Sequence, residues 1–279
     1  MFKRFTDKFK EYTLSNDKFI NEIIIDVDDY DLKPYLLNDI IKLLEKVILN
    51  KLSADLLFQK NYWSWGFVTI YYSNFYMAQL LNKIAGKFFL YKQQNFNKYV
   101  QFNKDIDLYN IPQSNNGETS HLREFKQLKN NYAYIKTWND VKLQPILDKI
   151  GLKKKDILFK YTIDNDIKES EIRNEINYKL NNYQEIAVSQ KENILNLKIY
   201  KLIIEKNNCN CRKFKNFELV KINHFRMKFL SILIQEIIII NPAFKLKIER
   251  LKNKINNKYD IEFHSVNENI KMEIERIFG

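Results

Sequence analysis

The stretch Tyr71–Gly86, YYSNFYMAQLLNKIAG, decides the fold. It holds no proline and places Tyr72, Phe75, Tyr76, Gln79 and Leu80 on one broad face of a helix, where aromatic rings can fill the core of a bundle. Gly86 is a plausible stop, because a helix end favours a residue that tolerates the left-handed conformation. The spacing therefore predicts a helix that begins near Asp55 or Tyr62 and ends at Ala85–Gly86. Upstream, Pro34 opens a helical pattern through Leu36, Leu37, Ile40, Ile41, Leu44, Val47 and Ile48, proline being tolerated in a first turn.

Downstream, residues 91–120 are polar and rich in asparagine, with turn signals at Pro112 and Gly117, and predict a long surface loop or insertion. Helical spacing resumes from His121 to Tyr134 and again from Glu169 to about Tyr183. Between them lies Leu143 to Asp156, with Pro145, Gly151 and the run Lys153, Lys154, Lys155. The segment 193–206 alternates and is β-branched, so it fits helix or strand. A long helix from about Phe214 to Ile240 is halted by Pro242, and a lysine-rich helix follows to about Lys258. No internal repeat is evident.

Composition narrows the classes. Five glycines and four prolines in 279 residues argue against a turn-rich all-β fold, since helix interiors exclude both. Forty-six basic against 34 acidic residues give a net charge of +12, which favours a polyanion such as RNA or DNA as partner and equally suits a lysine-rich coding bias. Cys209 and Cys211, one residue apart, suit neither a local disulfide nor a zinc knuckle, and a reduced cytoplasmic setting is expected. Charge throughout the first eight residues predicts no secretory leader. The apolar run 229–240 is interrupted by Gln235 and Glu236 and reads as a core helix rather than the roughly 20-residue span a membrane requires.

The N-terminal region holds two features. Phe2, Phe5, Phe9 and Tyr12 form an aromatic stripe that docks on the protein's own core or, on a sharper reading, on a membrane surface. The β-branched run Ile23–Ile25 suggests a short strand ending in acids. On a strand, Asp26 and Asp28 share a face, the spacing by which carboxylates hold Mg²⁺; an acidic loop leading into a helix is the plainer reading.

Three fragments in order are similar to the HEPN superfamily of small helical bundles. The first is Tyr71–Gly86, similar to that superfamily's aromatic helix. The second is Thr119–Phe125, TSHLREF, similar to a stretch in which some members carry a Thr-His pair and then a phenylalanine. The third is Arg173–Tyr178, RNEINY, in which Arg173 and Asn174 match the superfamily's arginine-polar pair and Tyr178 stands where active ribonucleases carry histidine. The resemblance spans about Leu36 to Tyr183. It implies metal-independent RNA cleavage in which the 2′-hydroxyl attacks the adjacent phosphate, with arginine holding the phosphate and histidine moving the proton. Tyrosine, with a reference pKa of about 10, is a poor base, so His121 is the candidate replacement. Arg173 and a residue five positions on lie about 140° apart around a helix, so Arg173 and Tyr178 share a cleft only where that helix borders it broadly.

The resulting expectation is an all-α or mainly α fold: a HEPN-like bundle over 34–188, an N-terminal helix and acidic segment over 1–33, and a C-terminal helical extension over 189–279 that could belong to the same bundle. The resemblance implies RNA-directed work in a prokaryotic toxin–antitoxin or antiviral-defence setting, by a homodimer or a complex with a protein partner. A non-catalytic binding or scaffold subunit is the alternative. Candidate site residues are Arg173, Asn174, Tyr178 and His121. Lys245, Lys247, Arg250, Lys252 and Lys254 are candidates for a nucleic-acid contact or a solvated face. His224 reads as a core histidine, and His264 has no ligand neighbours. No cofactor, metal or membrane association is expected from the motifs.

Overall fold

The computed structural model describes residues 22–26, 32–91, 97–103, 108–112, 120–163, 169–178, 190–206 and 215–262. Helix α1 (Leu32–Gln59) and helix α2 (Trp63–Ile84) form a hairpin. Its turn is a Schellman motif: Tyr62 N–H donates to Leu57 O at 2.9 Å and Asn61 N–H to Phe58 O at 3.1 Å. Asn61 takes the left-handed conformation (φ 68°) where glycine is usual. The hairpin closes tightly because Gly66 faces the Phe58 ring, and a Cβ there would lie 2.3 Å from a ring carbon. Phe58 stacks on Trp63 (5.1 Å) and meets Phe67 edge-on (5.2 Å), and Phe67 in turn meets Phe217 (5.1 Å). Each such side chain contributes about 1.5–3 kcal/mol on burial, so this cluster anchors one end of the bundle.

Helix α2 is the axis of the molecule and is buried almost all round. Tyr71, Ser73, Asn74, Met77, Ala78, Leu80 and Leu81 are sealed, whereas Tyr72, Tyr76 and Gln79 are only half-buried. The face expected from spacing is thus only partly right: Phe75 and Leu80 are buried, but most of the deepest packing uses the other side of the helix. The reason is that α2 has neighbours on several sides, so no single stripe marks its core.

After Gly86 (φ 75°) the chain enters β2 (Lys87–Tyr91), then β3 (Asn97–Asn103) and β4 (Leu108–Pro112). With β1 (Glu22–Asp26) they make an antiparallel sheet in the order β1-β4-β3-β2, Glu22 pairing with Pro112 and Asp26 with Leu108. This corrects the expected loop over 91–120. Val100 and Phe102 in β3, and Tyr109 and Ile111 in β4, do alternate with polar residues, but over too few positions to stand out from asparagine-rich sequence, and their pairing comes from neighbouring strands. It also ties part of the 1–33 segment to the 34–188 segment. The expected strand before the acids is present. The Phe2–Tyr12 stripe, Asp28, Thr119, Cys209, Cys211 and His264 lie outside the described residues.

Helix α3 (Ser120–Tyr132) leads through a 3₁₀ turn (Ala133–Thr137) into α4 (Asp140–Ile150), α5 (Lys155–Leu158) and a π-helical segment (Phe159–Ile163). Asn139 caps α4 by accepting from Lys142 N–H (2.9 Å), and Gly151 (φ 77°) ends it. Pro145 sits inside α4 rather than breaking the chain there. Helices α6 (Glu169–Tyr178), α7 (Gln190–Lys206), α8 (Phe217–Ile240) and α9 (Pro242–Glu262) complete the described elements. The ambiguous 193–206 stretch is helical. Trp63 Nε1 donates to Asn193 (3.0 Å) and Tyr200 donates to Asp55 (2.5 Å), so α7 is held by the α1–α2 hairpin.

The fold is mainly α, and one hydrophobic cluster runs from Ile40 to Ile255. Residues 189–279 therefore contribute to the core of 34–188 through Phe217, Phe225, Leu230 and Ile248. Among the described residues no helix is long and apolar enough to cross a membrane. The 229–240 run lies in α8, with Phe229, Leu230, Ile232 and Ile234 buried.

Candidate functional site

Helix α2 carries Tyr71 at the point where α3 and α6 meet it. Two polar arrangements fix those flanking helices. On the α3 side, Asn82 Nδ2 donates to the Glu124 side chain (2.7 Å) and Asn131 Nδ2 to Asn82 Oδ1 (2.9 Å) and Lys87 O (2.8 Å). Tyr132 donates to Leu81 O (3.0 Å). On the α6 side, Arg226 of α8 forms a buried ion pair with Glu169 (2.9 Å; side chains 1% and 0% exposed). The Arg226 guanidinium also donates to Thr162 O (3.0 Å) and Asn74 O (3.3 Å). Buried donors and acceptors left without partners cost free energy, so these bonds fix the orientation of α3 and α6.

That orientation brings His121 and Arg173 to one tyrosine. His121 Nδ1 lies 2.6 Å from Tyr71 Oη. The imidazole stacks on Phe75 (4.0 Å, 20°) and is met edge-on by Tyr72 (6.3 Å). The Arg173 guanidinium lies over the Tyr71 ring, 5.1 Å from its centroid. It is half-buried, its Nε has no hydrogen-bond partner, and among the described residues it forms no ion pair. Glu169, the acid one turn before it, is taken by Arg226.

Electrostatics follow from this geometry. Burial, reinforced by the Arg173 cation, holds the His121 imidazole below its ordinary pKa of 6.5. Its position as the second residue of α3 acts the same way, since the positive end of a helix disfavours a cation. Burial pushes the Tyr71 phenol up; Glu169 adds to this and Arg173 opposes it. At neutral pH the site therefore contains a neutral imidazole, a protonated phenol and one guanidinium that no acid among the described residues pairs with.

The other candidates separate from this group. Asn174 is exposed and Tyr178 is 75% exposed, because α6 buries Glu169, Ile172 and Ile176 and turns those two outward. The expected motif thus splits: Arg173 is at the site, while Asn174 and Tyr178 are on the outer face. His224 is buried in α8 against Phe225. On α9, Lys247 donates to Asn38 and Lys254 pairs with Glu45, so two of the five expected cations contact the protein's own α1. Lys245 and Arg250 are exposed and Lys252 is half-buried. Among the described residues no group of three or more His, Cys, Asp or Glu is placed to hold a metal.

Sequence reading missed Tyr71, Glu169 and Arg226. The signals were there. Tyr71 and Phe75 are four residues apart and share a face, as do Glu169 and Arg173. A lone arginine in FRMKF (225–229) demands a buried acid or a bend toward solvent. No family model, curated protein or solved structure matches this chain.

Proposed function

We propose that this chain is an RNA-directed protein of HEPN-like kind that holds an RNA phosphate between Arg173 and His121 and cleaves the chain without metal. One observation carries the reading: the half-buried guanidinium of Arg173 has no carboxylate partner among the described residues and sits with a neutral histidine on the same tyrosine. A desolvated cation without a counter-ion favours an anion, and arginine matches phosphate oxygens bidentately. The positive end of α3 adds to the same field. Proton transfer then belongs to His121. When its Nδ1–H donates to Tyr71, Nε2 is free to take the proton of a 2′-hydroxyl, and Tyr71 orients the ring. The toxin–antitoxin or defence setting, and pairing with a second copy or a protein partner, come with this reading from the resemblance alone.

A second reading has its own support. Tyr71 keeps its proton, and if it donates to Nδ1, Nε2 carries a proton and the site is a set of donors that binds phosphate without deprotonating anything. That describes a binding or scaffold subunit. Incubating RNA with the wild type, Arg173→Ala and His121→Ala in excess chelator separates the two. Cleavage that survives chelation and is lost in both variants supports the ribonuclease. Salt-sensitive binding without cleavage, weakened by Arg173→Ala, supports the binding subunit. Cleavage that requires Mg²⁺ and ignores Arg173 overturns both and points to Asp26 and Asp28. Sedimentation showing a monomer, with no co-purifying partner, would remove the pairing.

A further inference from the structure

We infer that the surface made by the 3₁₀ turn, the first turns of α4 and the start of α5 is a docking surface for single-stranded RNA, an inference that rests on the reading that RNA is the ligand. Tyr134 is 54% exposed, and Trp138, half-buried beside it, meets it edge-on at 5.8 Å and 62°. Two flat rings at a steep angle, one of them open to solvent, provide a face on which an unpaired base can stack.

The chain folds so that one lysine lies on one of these rings and others lie on the elements that flank them. The Lys142 ammonium lies 4.3 Å from the Trp138 ring centroid. Lys155, though remote in sequence, returns to the start of α4 through its ion pair with Asp140 (3.3 Å). Lys136 extends over Phe159 (5.5 Å), which closes the far side of the turn onto the π-helical segment. Residues 133–163 hold seven lysines and three aspartates, so this short stretch carries a third of the net charge of +12. Of the aspartates, Asp140 is paired with Lys155 and Asp148 accepts from Gln144 (2.7 Å). The local field is therefore positive beside the exposed Tyr134 ring.

This pairing of features selects the partner. Protein-binding patches are depleted in lysine at their centre, whereas single-strand surfaces combine cations along a backbone track with rings under the bases. A duplex hides its base faces and cannot use Tyr134. The surface lies at the other end of α3 from the site: His121 is the second residue of α3, and Tyr132 ends it about 17 Å further along the axis at 1.5 Å per residue. Modules that bind about 4–16 nucleotides of single strand span such a distance. The lysine surface thus holds flanking nucleotides while Arg173 and His121 engage one phosphate.

Binding of a labelled single-stranded RNA to the full chain, followed by anisotropy at two salt concentrations, tests this, with an RNA duplex of equal length alongside. Tyr134→Ala should weaken single-strand binding roughly 5- to 150-fold, the loss of one stacked base. Tyr134→Phe keeps the ring and should stay within about twofold. Lys142→Gln should reduce the salt slope by about 0.7, one phosphate contact on a single strand. RNA affinity that ignores Tyr134→Ala, that falls as far in Tyr134→Phe, or that is equal for duplex overturns this surface while leaving the Arg173 site intact. No RNA affinity in the wild type at low salt overturns both. Binding that depends on Tyr134 but occurs without cleavage supports the surface and removes only the ribonuclease.

Discussion

Glu169 and Arg173 are one turn apart on α6, yet they enter two regions that differ in kind. The first is a closed polar layer between α2, α6 and α8. There Arg226 spends its donors on Glu169, Thr162 and Asn74, and Asn223 donates to Ser73 (3.0 Å) and Asn74 (2.9 Å). The second is the corner of Tyr71, His121 and Arg173, where a cation has a ring beneath it and, among the described residues, no acid paired with it. In the first region charge is neutralised internally and serves to position helices. In the second it is left over, which is how a protein keeps a cation for something it binds.

The largest effect that can break this contrast is in the closed layer. Arg226→Ala leaves Glu169 buried without a counter-ion and should lower the unfolding free energy by about 3–5 kcal/mol in denaturant titrations. Replacing both partners with Met and Leu should recover most of that loss. A small effect from the single variant would mean that the pair is wetter than its 1% and 0% exposure implies.

The open corner should respond in the opposite way. If the ribonuclease reading holds, Arg173→Ala should reduce RNA cleavage about 10²- to 10³-fold, as for removal of one oxyanion donor, while changing stability by less than about 1 kcal/mol. A large loss of stability with unchanged chemistry would move Arg173 into the structural class with Arg226.

Tyr71→Phe tests the contact that joins the two helices. The ring packing stays and one hydrogen bond goes, so stability should fall by about 0.5–1.5 kcal/mol. If the ribonuclease reading holds, cleavage should fall more than RNA binding does, because the His121 ring loses its orientation.

The smallest effect is a titration. His121, followed by NMR, should titrate below 6.5, and Arg173→Gln should move its midpoint upward by removing the neighbouring cation. Below pH 6.5 the unfolded chain then binds more protons at this residue than the folded one. Stability should therefore fall as pH drops from 6.5 through the folded midpoint, and His121→Gln should flatten that part of the curve. A midpoint above 6.5 would break the electrostatic account of the corner.

Much of the fold was legible in the residues because helices leave local marks. Pro34, the absence of proline in 63–84, Gly86 and Pro242 delimit α1, α2 and the junction of α8 with α9, since each limits its own backbone. Pro242 begins α9 rather than leaving a gap, because Asn241 caps it by accepting from Phe244 N–H (3.0 Å). The sheet of 87–112 was not legible: β2 is a short apolar run, β3 and β4 alternate over only a few positions, and all three are made by their partners. Half of the site was visible in the same way. Arg173, Asn174, Tyr178 and His121 all stood out through the resemblance; packing brings Arg173 and His121 to one tyrosine, whereas α6 turns Asn174 and Tyr178 to solvent.

The sequence by itself determined the mainly helical class, the position of most helices and the surplus of positive charge, because these depend on backbone propensity and composition within a few residues of chain. Only the tertiary structure decided which charges are spent and which remain. Arg226 and Arg173 are the same residue type, each beside apolar neighbours. What separates them is that α8 delivers Arg226 to Glu169 across 57 residues of chain, and so leaves Arg173 with Tyr71 and His121. Pairing across such a distance is set by packing of whole helices against α2, a property that no local pattern contains.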